Sequence, residues 1–257
     1  MFRVAGCVSA AGIVIGLGLI RRRKAAINKS PFNQLQPPLL ADKLPACPFK
    51  LLQAWLSEAE ASEGLQARAM VIATSSPLEG PTARTVLMMR HDASANTIMF
   101  GTNPDSLKGR QLKADGRVEA VFRWGARQVR VRGKAHFDDS PSRALTVDAY
   151  RSLPLGPQLS LRVASQGSPI SEEQHATAVE LVGELVAQGV GGPSYTGPPL
   201  LPPMSYSAAL IEPLSFEFYQ GAGIELGYIN HDRFLYVRDA AAAASKGPAW
   251  SRRRLQA

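Results

Sequence analysis

Cysteine is scarce in this chain of 257 residues, and its two cysteines, Cys7 and Cys47, form neither a CxxC motif nor a Cys/His cluster. The sequence therefore indicates neither a disulfide framework nor structural zinc. The chain also lacks a G-x-G-x-x-G after a strand and a G-x-x-x-x-G-K-[ST], the two common nucleotide-binding fingerprints. Its four histidines are scattered, and no Ser/His/Asp constellation can be identified. Neither a hydrolase triad nor a P-loop enzyme is indicated.

Acidic residues are absent from the first 41 positions, which contain six of the 29 basic residues. This segment accounts for most of the formal net charge of +8, because the other 23 basic residues face 21 acidic ones. The body of the protein is therefore nearly neutral. A high pI that comes from one basic tail does not predict a nucleic-acid groove, so no nucleic-acid partner is expected. The apolar content of 45% is sufficient for a large buried core.

Charge is also absent from Val4–Ile20, a run of 17 residues that is followed at once by Arg21–Lys24. A helix of this length is about 25 Å long, at the short end of what spans a bilayer. The basic cluster differs from the cleavage region of a signal peptide, and the run is not amphipathic like a transit peptide. Residues 1–24 are therefore predicted to hold a single membrane anchor, with the body on the cytoplasmic or mitochondrial-matrix side. Proline-rich residues 25–47 are predicted to form a linker, and residues 48–257 one domain.

The domain alternates short strand-like runs with a few helical ones. Eight strands are predicted, at Ala69–Thr74, Arg84–Arg90, Thr97–Thr102, Arg117–Trp124, Gln128–Phe137, Tyr206–Ile211, Ser215–Tyr219 and Arg233–Val237. Helices are predicted at Pro48–Ala61, Asp105–Ala114, Pro141–Ser152 (capped by Ser140) and Ser171–Gln188, which opens with a capping box. Many short antiparallel strands predict a mainly β fold, a barrel with flanking helices.

Basic side chains occur at strand ends and at a helix start. Arg84 begins one predicted strand. Thr102 ends another, and the chain then turns into the helix that carries Lys108. Backbone N–H groups and a cation at such a strand–turn–helix corner are suited to a phosphate monoester. The sequence therefore predicts a phosphate site at this corner.

Eight segments together carry a resemblance to a known family. They are PFKLLQAWLSEA (48–59), AMVIAT (69–74), ARTVLMM (83–89), FGTNPDSLKGRQL (100–112), FRWGARQVRVRG (122–133), ASQGSPIS (164–171), FEFYQG (216–221) and HDRFLY (231–236). In sequence, order and spacing they resemble the pyridoxamine 5′-phosphate oxidase family. The resemblance implies an FMN-binding split β-barrel that forms a homodimer, with FMN at the subunit interface. It also implies oxidation of pyridoxamine or pyridoxine 5′-phosphate to pyridoxal 5′-phosphate, with reduction of dioxygen to hydrogen peroxide.

The resemblance also implies site residues. The FMN contacts of the family correspond to Arg84, Thr102, Lys108, Gln128, Gln166, Tyr219 and Arg233, and the catalytic candidate is His231. Tyr219 stands where the family has tryptophan. The family's tyrosine, arginine and serine beside these positions are replaced by Gly101, Leu107 and Gly167.

The substrate-phosphate side departs further from the family. Its lysine, tyrosine, arginine and serine correspond to Met89, Ala149, Leu153 and Pro157, and the arginine upstream of His231 is absent. Each lost charge-assisted contact removes about 1.5–3 kcal/mol of binding free energy. Two functions therefore stay open. The first is an FMN-dependent oxidase of the family with a rearranged substrate site. The second is a catalytically inactive, membrane-tethered split-barrel protein that acts as a scaffold or accessory subunit.

Overall fold

A computed structural model describes residues 38–163, 169–190, 200–221, 231–239 and 249–256. The predicted anchor, most of the predicted linker and Gln166 lie outside these ranges. The strands are β1 Ala69–Ser76, β2 Gly80–Asp92, β3 Thr97–Thr102, β4 Arg117–Trp124, β5 Arg127–Phe137, β6 Ser207–Gln220, β7 Asp232–Arg238 and β8 Trp250–Arg254. The helices are α1 Pro48–Glu63, α2 Leu107–Ala114, α3 Ala144–Arg151, α4 Leu155–Val163 and α5 Glu172–Ala187, and a 3₁₀ helix follows α1 at Gly64–Arg68.

Six antiparallel strands close into a barrel. The hydrogen-bonded order is β3-β2-β1-β4-β5-β6, and pairing of β3 with β6 completes the circle. Strands β7 and β8 continue the sheet from β6. Closure pairs both edges of the six-stranded part, and β8 forms the edge of the extension. The predicted mainly β fold, a barrel with flanking helices, is confirmed.

Strand β6 is longer than the sequence pattern indicated. The two predicted strands on either side of Pro213 form one strand of 14 residues. Its first part pairs with β3 and its last part with β7, while β5 follows nearly its whole length. The pairing with β5 shifts register between Arg132 and Gly133, opposite the proline, because proline cannot donate a ladder hydrogen bond. The irregularity bends the strand without ending it.

Helix α1 covers an apolar face of the barrel. Its apolar stripe is buried, as the spacing predicted, and packs against β6. The ring of Trp55 meets that of Phe218 edge-on at 5.3 Å, and Phe49 meets Phe216 at 5.0 Å. Edge-to-face aromatic pairs of this kind add to the free energy gained by area burial. The barrel interior and α1 therefore share one core.

The start of α3 differs from its prediction. The helix begins at Ala144 rather than at the predicted proline, and Ser140 does not cap it. Asp138 takes that role, because its Oδ2 accepts hydrogen bonds from the backbone N–H and the Oγ1 of Thr146, both at 2.9 Å. Arg143 has a φ of 50°, which sets the turn between the cap and the helix.

The predicted membrane location is corrected. Across the described ranges, no helix has both the length and the apolar character needed to cross a bilayer. This finding overturns the expected membrane association and its cytoplasmic or matrix-side placement. The run Val4–Ile20, on which the expectation rested, lies outside the described residues.

The end of the predicted linker packs against the sheet. The backbone N–H of Leu39 donates to Asp232 Oδ2 at 2.7 Å, and Arg252 donates to the carbonyl oxygen of Leu44 at 2.6 Å. Leu39, Leu44 and Cys47 also pack on the core cluster. Residues 38–47 thus contact strands β7 and β8 before α1 begins.

Candidate functional site

The predicted phosphate corner forms where β3 turns into α2. Arg84 lies on β2 opposite Ile72, so its side chain shares the face that β1 turns toward the barrel interior. Thr102 ends β3, and Lys108 lies in the first turn of α2. Ser106 begins that helix, because its Oγ accepts a hydrogen bond from the N–H of Gly109 at 3.2 Å. The sequence correctly predicted the strand–turn–helix geometry around Thr102 and Lys108, whereas Arg84 lies within β2 and does not begin it.

Neutral partners hold the guanidinium of Arg84. Its Nη1 donates to Thr74 Oγ1 at 2.6 Å, and its Nη2 donates to Thr82 Oγ1. Both threonine hydroxyls contact Gln111 Oε1, at 2.6 and 2.7 Å. Because Thr74 and Gln111 are buried, this network fixes the arginine without neutralising it. Burial also lowers the pKa of Arg84.

Lys108 completes the corner. It is only 6% exposed, and its Nζ donates to Thr102 Oγ1 and to Ser106 Oγ, the latter at 3.4 Å. Burial and, to a smaller extent, the charge of Arg84 lower the pKa of Lys108 to about 8. Within the described residues, neither cation forms an ion pair with a carboxylate. Two neighbouring cations without a counter-charge fit the phosphate of a cofactor.

A second group of predicted residues meets on β5, β6 and β7. Gln128 lies directly opposite Tyr219, which lies opposite Arg233, so the three form a row across the sheet. They line one cavity of about 500 Å³ together with His231. The Tyr219 hydroxyl and His231 Nδ1 are 2.9 Å apart, and their rings stack at 5.4 Å. The volume is within the range of ordinary ligand pockets.

Ion pairs orient the arginine of this row. Glu217 contacts Arg233 at 3.1 Å and Arg130 at 3.4 Å. Arg130 also pairs with Glu119 at 2.5 Å, and this hydrogen bond raises the pKa of Arg130. The Nε of Arg233 is buried and has no hydrogen-bond partner among the described residues. A buried donor without a partner at a cavity wall is a natural contact for a ligand acceptor.

The predicted residues therefore lie in two places on one chain. Arg84, Thr102 and Lys108 form the corner, whereas Gln128, Tyr219, His231 and Arg233 line the cavity. No described residue of the corner lines that cavity. Gln166 lies outside the described residues.

The positions that replace the family's substrate-phosphate residues also meet. Met89, Leu153 and Pro157 line a separate cavity of about 510 Å³ between β2 and α4. Ala149 is buried in the apolar cluster that also contains Tyr206. The structure thus contains a cavity at these positions, but its side chains are apolar where the family resemblance implies charged and hydroxyl groups.

Sequence reasoning missed one residue of this cavity, Tyr206. Its hydroxyl lies over Gly101, where a Cβ would come within 1.8 Å of the hydroxyl oxygen. The glycine that stands where the family has tyrosine was an indirect signal, because a small residue leaves room for another side chain. Nothing in the sequence pointed to position 206 as the one that fills it.

The closed barrel and its flanking helices define a split-barrel protein, and comparisons with known proteins agree. The family profile of pyridoxamine 5′-phosphate oxidase matches residues 57–179. A pyridoxine/pyridoxamine 5′-phosphate oxidase from Shewanella amazonensis is 32% identical over 207 residues, covering 79% of this chain and 89% of the relative. One from Rubrobacter xylanophilus is 32% identical over 212 residues, covering 81% and 86%. The chain belongs to the pyridoxamine 5′-phosphate oxidase family.

Two solved structures share the fold. PhzG from Burkholderia lata, in complex with tetrahydrophenazine-1-carboxylic acid, superposes with a TM-score of 0.67 at 22% identity, covering 86% of this chain and 98% of that one. A pyridoxamine 5′-phosphate oxidase-related, FMN-binding protein from Nostoc punctiforme gives a TM-score of 0.63 at 20% identity, covering 83% and 100%.

Proposed function

We propose that this protein is an FMN-dependent oxidase. The observation that carries the proposal is the pair of cations at the corner, Arg84 and Lys108, which are held close together by neutral groups. Placing two like charges together at a largely buried site is unfavourable unless an anion compensates them. The terminal phosphate of FMN supplies that anion, with Thr102 beside it.

The second group would hold the ring system of the flavin. Gln128 and Arg233 offer hydrogen-bond donors, and Tyr219 offers an aromatic face. The partnerless Nε of Arg233 supports a ligand at this wall. Bound FMN supplies two-electron chemistry, so that two electrons and two protons leave the substrate and reduce dioxygen to hydrogen peroxide.

His231 is the proposed catalytic residue. It lines the same cavity, and the hydroxyl of Tyr219 lies at hydrogen-bond distance from its Nδ1. That contact restrains the orientation of the ring, and Nε2 would then exchange a proton with a substrate. The ion pair with Glu217 positions Arg233 beside it.

The substrates suggested by the relatives are pyridoxine and pyridoxamine 5′-phosphate. The first reaction to assay is therefore oxidation of the alcohol of pyridoxine 5′-phosphate to the aldehyde, or of the amine of pyridoxamine 5′-phosphate to an imine, which water hydrolyses to the aldehyde with release of ammonia. Whether the substrate carries a phosphate is determined by the chemistry of the cavity around Met89 and Leu153. No observation on the described residues favours an inactive scaffold over an oxidase.

A homodimer, which the family resemblance implies, is part of the proposal. One chain holds the corner and the cavity in separate places, with no described residue common to both. A symmetric dimer would let the corner of one protomer complete the cavity of its partner.

The test of this proposal is the affinity for FMN of Lys108→Met, measured by flavin fluorescence. The matched control is Lys113→Met on the same helix, because Lys113 pairs with Asp105 at 2.9 Å on the surface. We expect Lys108→Met to weaken FMN binding about 10- to 100-fold, the cost of one charge-assisted contact, and the control to bind like wild type. Equal affinities for both variants would contradict the proposed phosphate corner.

A further inference from the structure

The cavity between β2 and α4 has no charged wall. Its twelve described lining residues include Val86, Met89, Leu153, Leu161 and Tyr206, and none of the twelve is Lys, Arg, His, Asp or Glu. Its volume of about 510 Å³ is in the range that accommodates a small organic molecule. The positions to which the family resemblance assigns a substrate phosphate thus form a neutral and mostly apolar pocket.

Two of the cations next to lining residues in the sequence, Arg68 and Arg162, are engaged in other contacts. Arg68 pairs with Glu60 at 2.6 Å and donates to the carbonyl oxygen of Met89 at 3.3 Å. Arg162 donates to the carbonyl oxygen of Leu201 at 2.8 Å. Segments 164–168 and 191–199, which lie outside the described residues, contain no charged residue in their sequence. A phosphate dianion in this pocket would give up part of its hydration without gaining a charge-assisted contact from the described lining residues, which is unfavourable.

One residue that lines this pocket, Tyr206, has a buried hydroxyl without a partner. The hydroxyl of Tyr206 is buried and makes no hydrogen bond to any described residue, and the side chain is only 3% exposed. Its ring is held edge-on against Tyr150 at 5.6 Å, and Tyr150 itself donates to the carbonyl oxygen of Gln158 at 2.6 Å. Burial raises the pKa of Tyr206 to about 12, so the group is a neutral hydroxyl at ordinary pH. A buried hydroxyl of this kind requires a partner, and a ligand in the pocket can supply one.

We propose that this pocket binds an uncharged, ring-sized organic substrate whose polar group hydrogen-bonds to the Tyr206 hydroxyl, and that it selects against phosphate esters. Met89 and Leu153 provide apolar contact where the family resemblance implies cations, and Gly101 leaves the room that Tyr206 occupies. The inference rests on the proposed function only in taking the bound molecule as the reductant of FMN. The binding preference itself follows from the pocket.

The test compares pyridoxine with pyridoxine 5′-phosphate, which differ only in the phosphate, by calorimetry on the FMN-saturated protein. Excess FMN occupies the Arg84–Lys108 corner, so that this corner does not bind the phosphate ester. We expect pyridoxine to bind at least about tenfold more tightly, because the ester must desolvate a dianion without a cation. Tighter binding of the ester would overturn the inference, and so would the binding of neither compound at millimolar concentration.

A charge placed in the pocket gives a second test. Leu153→Arg should raise the affinity for pyridoxine 5′-phosphate at least about tenfold, because it adds one charge-assisted contact. The control is Leu78→Arg, which adds the same charge at a position that is 93% exposed and outside the pocket. If both variants leave the ratio of the two affinities unchanged, the pocket is not the binding site.

The hydroxyl is tested by Tyr206→Phe, which keeps the ring. The affinity for pyridoxine should fall about 3- to 10-fold, the contribution of one neutral hydrogen bond, while the FMN content stays that of wild type. An unchanged affinity for pyridoxine would remove Tyr206 from the site.

Bound FMN is measured separately in each sample. If the protein binds no FMN but still binds pyridoxine more tightly than its phosphate ester, only the proposed function is contradicted. If FMN is bound and the ester binds more tightly, only this inference is contradicted.

Discussion

At the scale of single residues, the most informative side chain is Lys108. Hydroxyl groups surround its ammonium, and the charge of Arg84 is close enough to lower the pKa. The lysine is therefore destabilising to the protein alone and favourable only with an anion bound. This opposition between stability and binding is typical of groups selected for a ligand.

The pKa of Lys108 predicts how stability depends on pH. In the folded protein without FMN the pKa is about 8, against an ordinary value of 10.5. Between these values the unfolded chain binds a proton that the folded chain does not, so the free energy of unfolding should rise as the pH increases. Lys108→Met should remove this rise, as measured by chemical denaturation at several pH values. FMN affinity should fall over the same interval. If the free energy of unfolding depends on pH in the same way in the wild type and in Lys108→Met, the assigned pKa shift is contradicted.

Substitution of Gly101 by alanine should change the free energy of unfolding in the opposite direction to the same substitution at an exposed helical glycine. Gly101→Ala should lower the free energy of unfolding by about 1–3 kcal/mol, because its Cβ would overlap the buried ring of Tyr206. Gly183→Ala, in an exposed part of α5 with no neighbouring atom within 4 Å, should instead raise it by about 0.5–1 kcal/mol. Thermal and urea denaturation of both variants measures the difference. Equal effects would mean that Tyr206 does not occupy this space.

At the scale of elements, the turn before α3 depends on one carboxylate. Burial raises the pKa of Asp138, and hydrogen bonds from Ser140 and Thr146 more than offset it, so that the pKa lies below its ordinary value. Asp138→Ala should lower the free energy of unfolding at neutral pH by about 0.5–2 kcal/mol, the value of a helix cap. Because a lowered carboxyl pKa stabilises only above the ordinary pKa, the loss should shrink as the pH falls below 3.8. The exposed neighbour Asp139 provides the control, and an equal effect of Asp139→Ala would contradict the cap.

Local patterns predicted the elements better than their ends. The strand-like runs at Thr97–Thr102 and Arg117–Trp124 were identified with the bounds observed. The capping box at Ser171 is also present as predicted. Trp250–Arg254 was missed as a strand because three of its five residues are arginines, whose chains pack on neighbouring rings: Arg252 on Tyr236 and Arg254 on Phe234. Helix α4 was missed because its glycine and proline suggest a loop.

The site was predictable to the extent that it is local. Thr102 and Lys108 lie six residues apart, and the turn between them brings them together, so sequence order was informative. Tyr206 and Gly101 are brought together only by the pairing of β3 with β6. No short-range pattern encodes that contact. The neutral pocket therefore emerged only from the fold.

At the scale of the whole molecule, the two separate groups of site residues predict subunit complementation. Arg84→Ala and Arg233→Ala should each bind FMN poorly alone. If the site lies between two protomers, mixing and refolding them together should restore FMN binding at about a quarter of the sites, because half of the dimers are mixed and each has one intact site. The controls are each variant refolded alone. No restoration, with mixed dimers demonstrated, would place the whole site within one chain.

The central claim is that the Arg84–Lys108 corner binds the phosphate of FMN. Its most direct test is a titration of the protein, freed of any bound flavin, with FMN and with riboflavin, which has the same ring and no phosphate. We predict that FMN binds at least about 100-fold more tightly than riboflavin, the value of two charge-assisted contacts, and that Lys108→Met narrows this ratio. Equal affinities for the two flavins, or no binding of either, would contradict the claim.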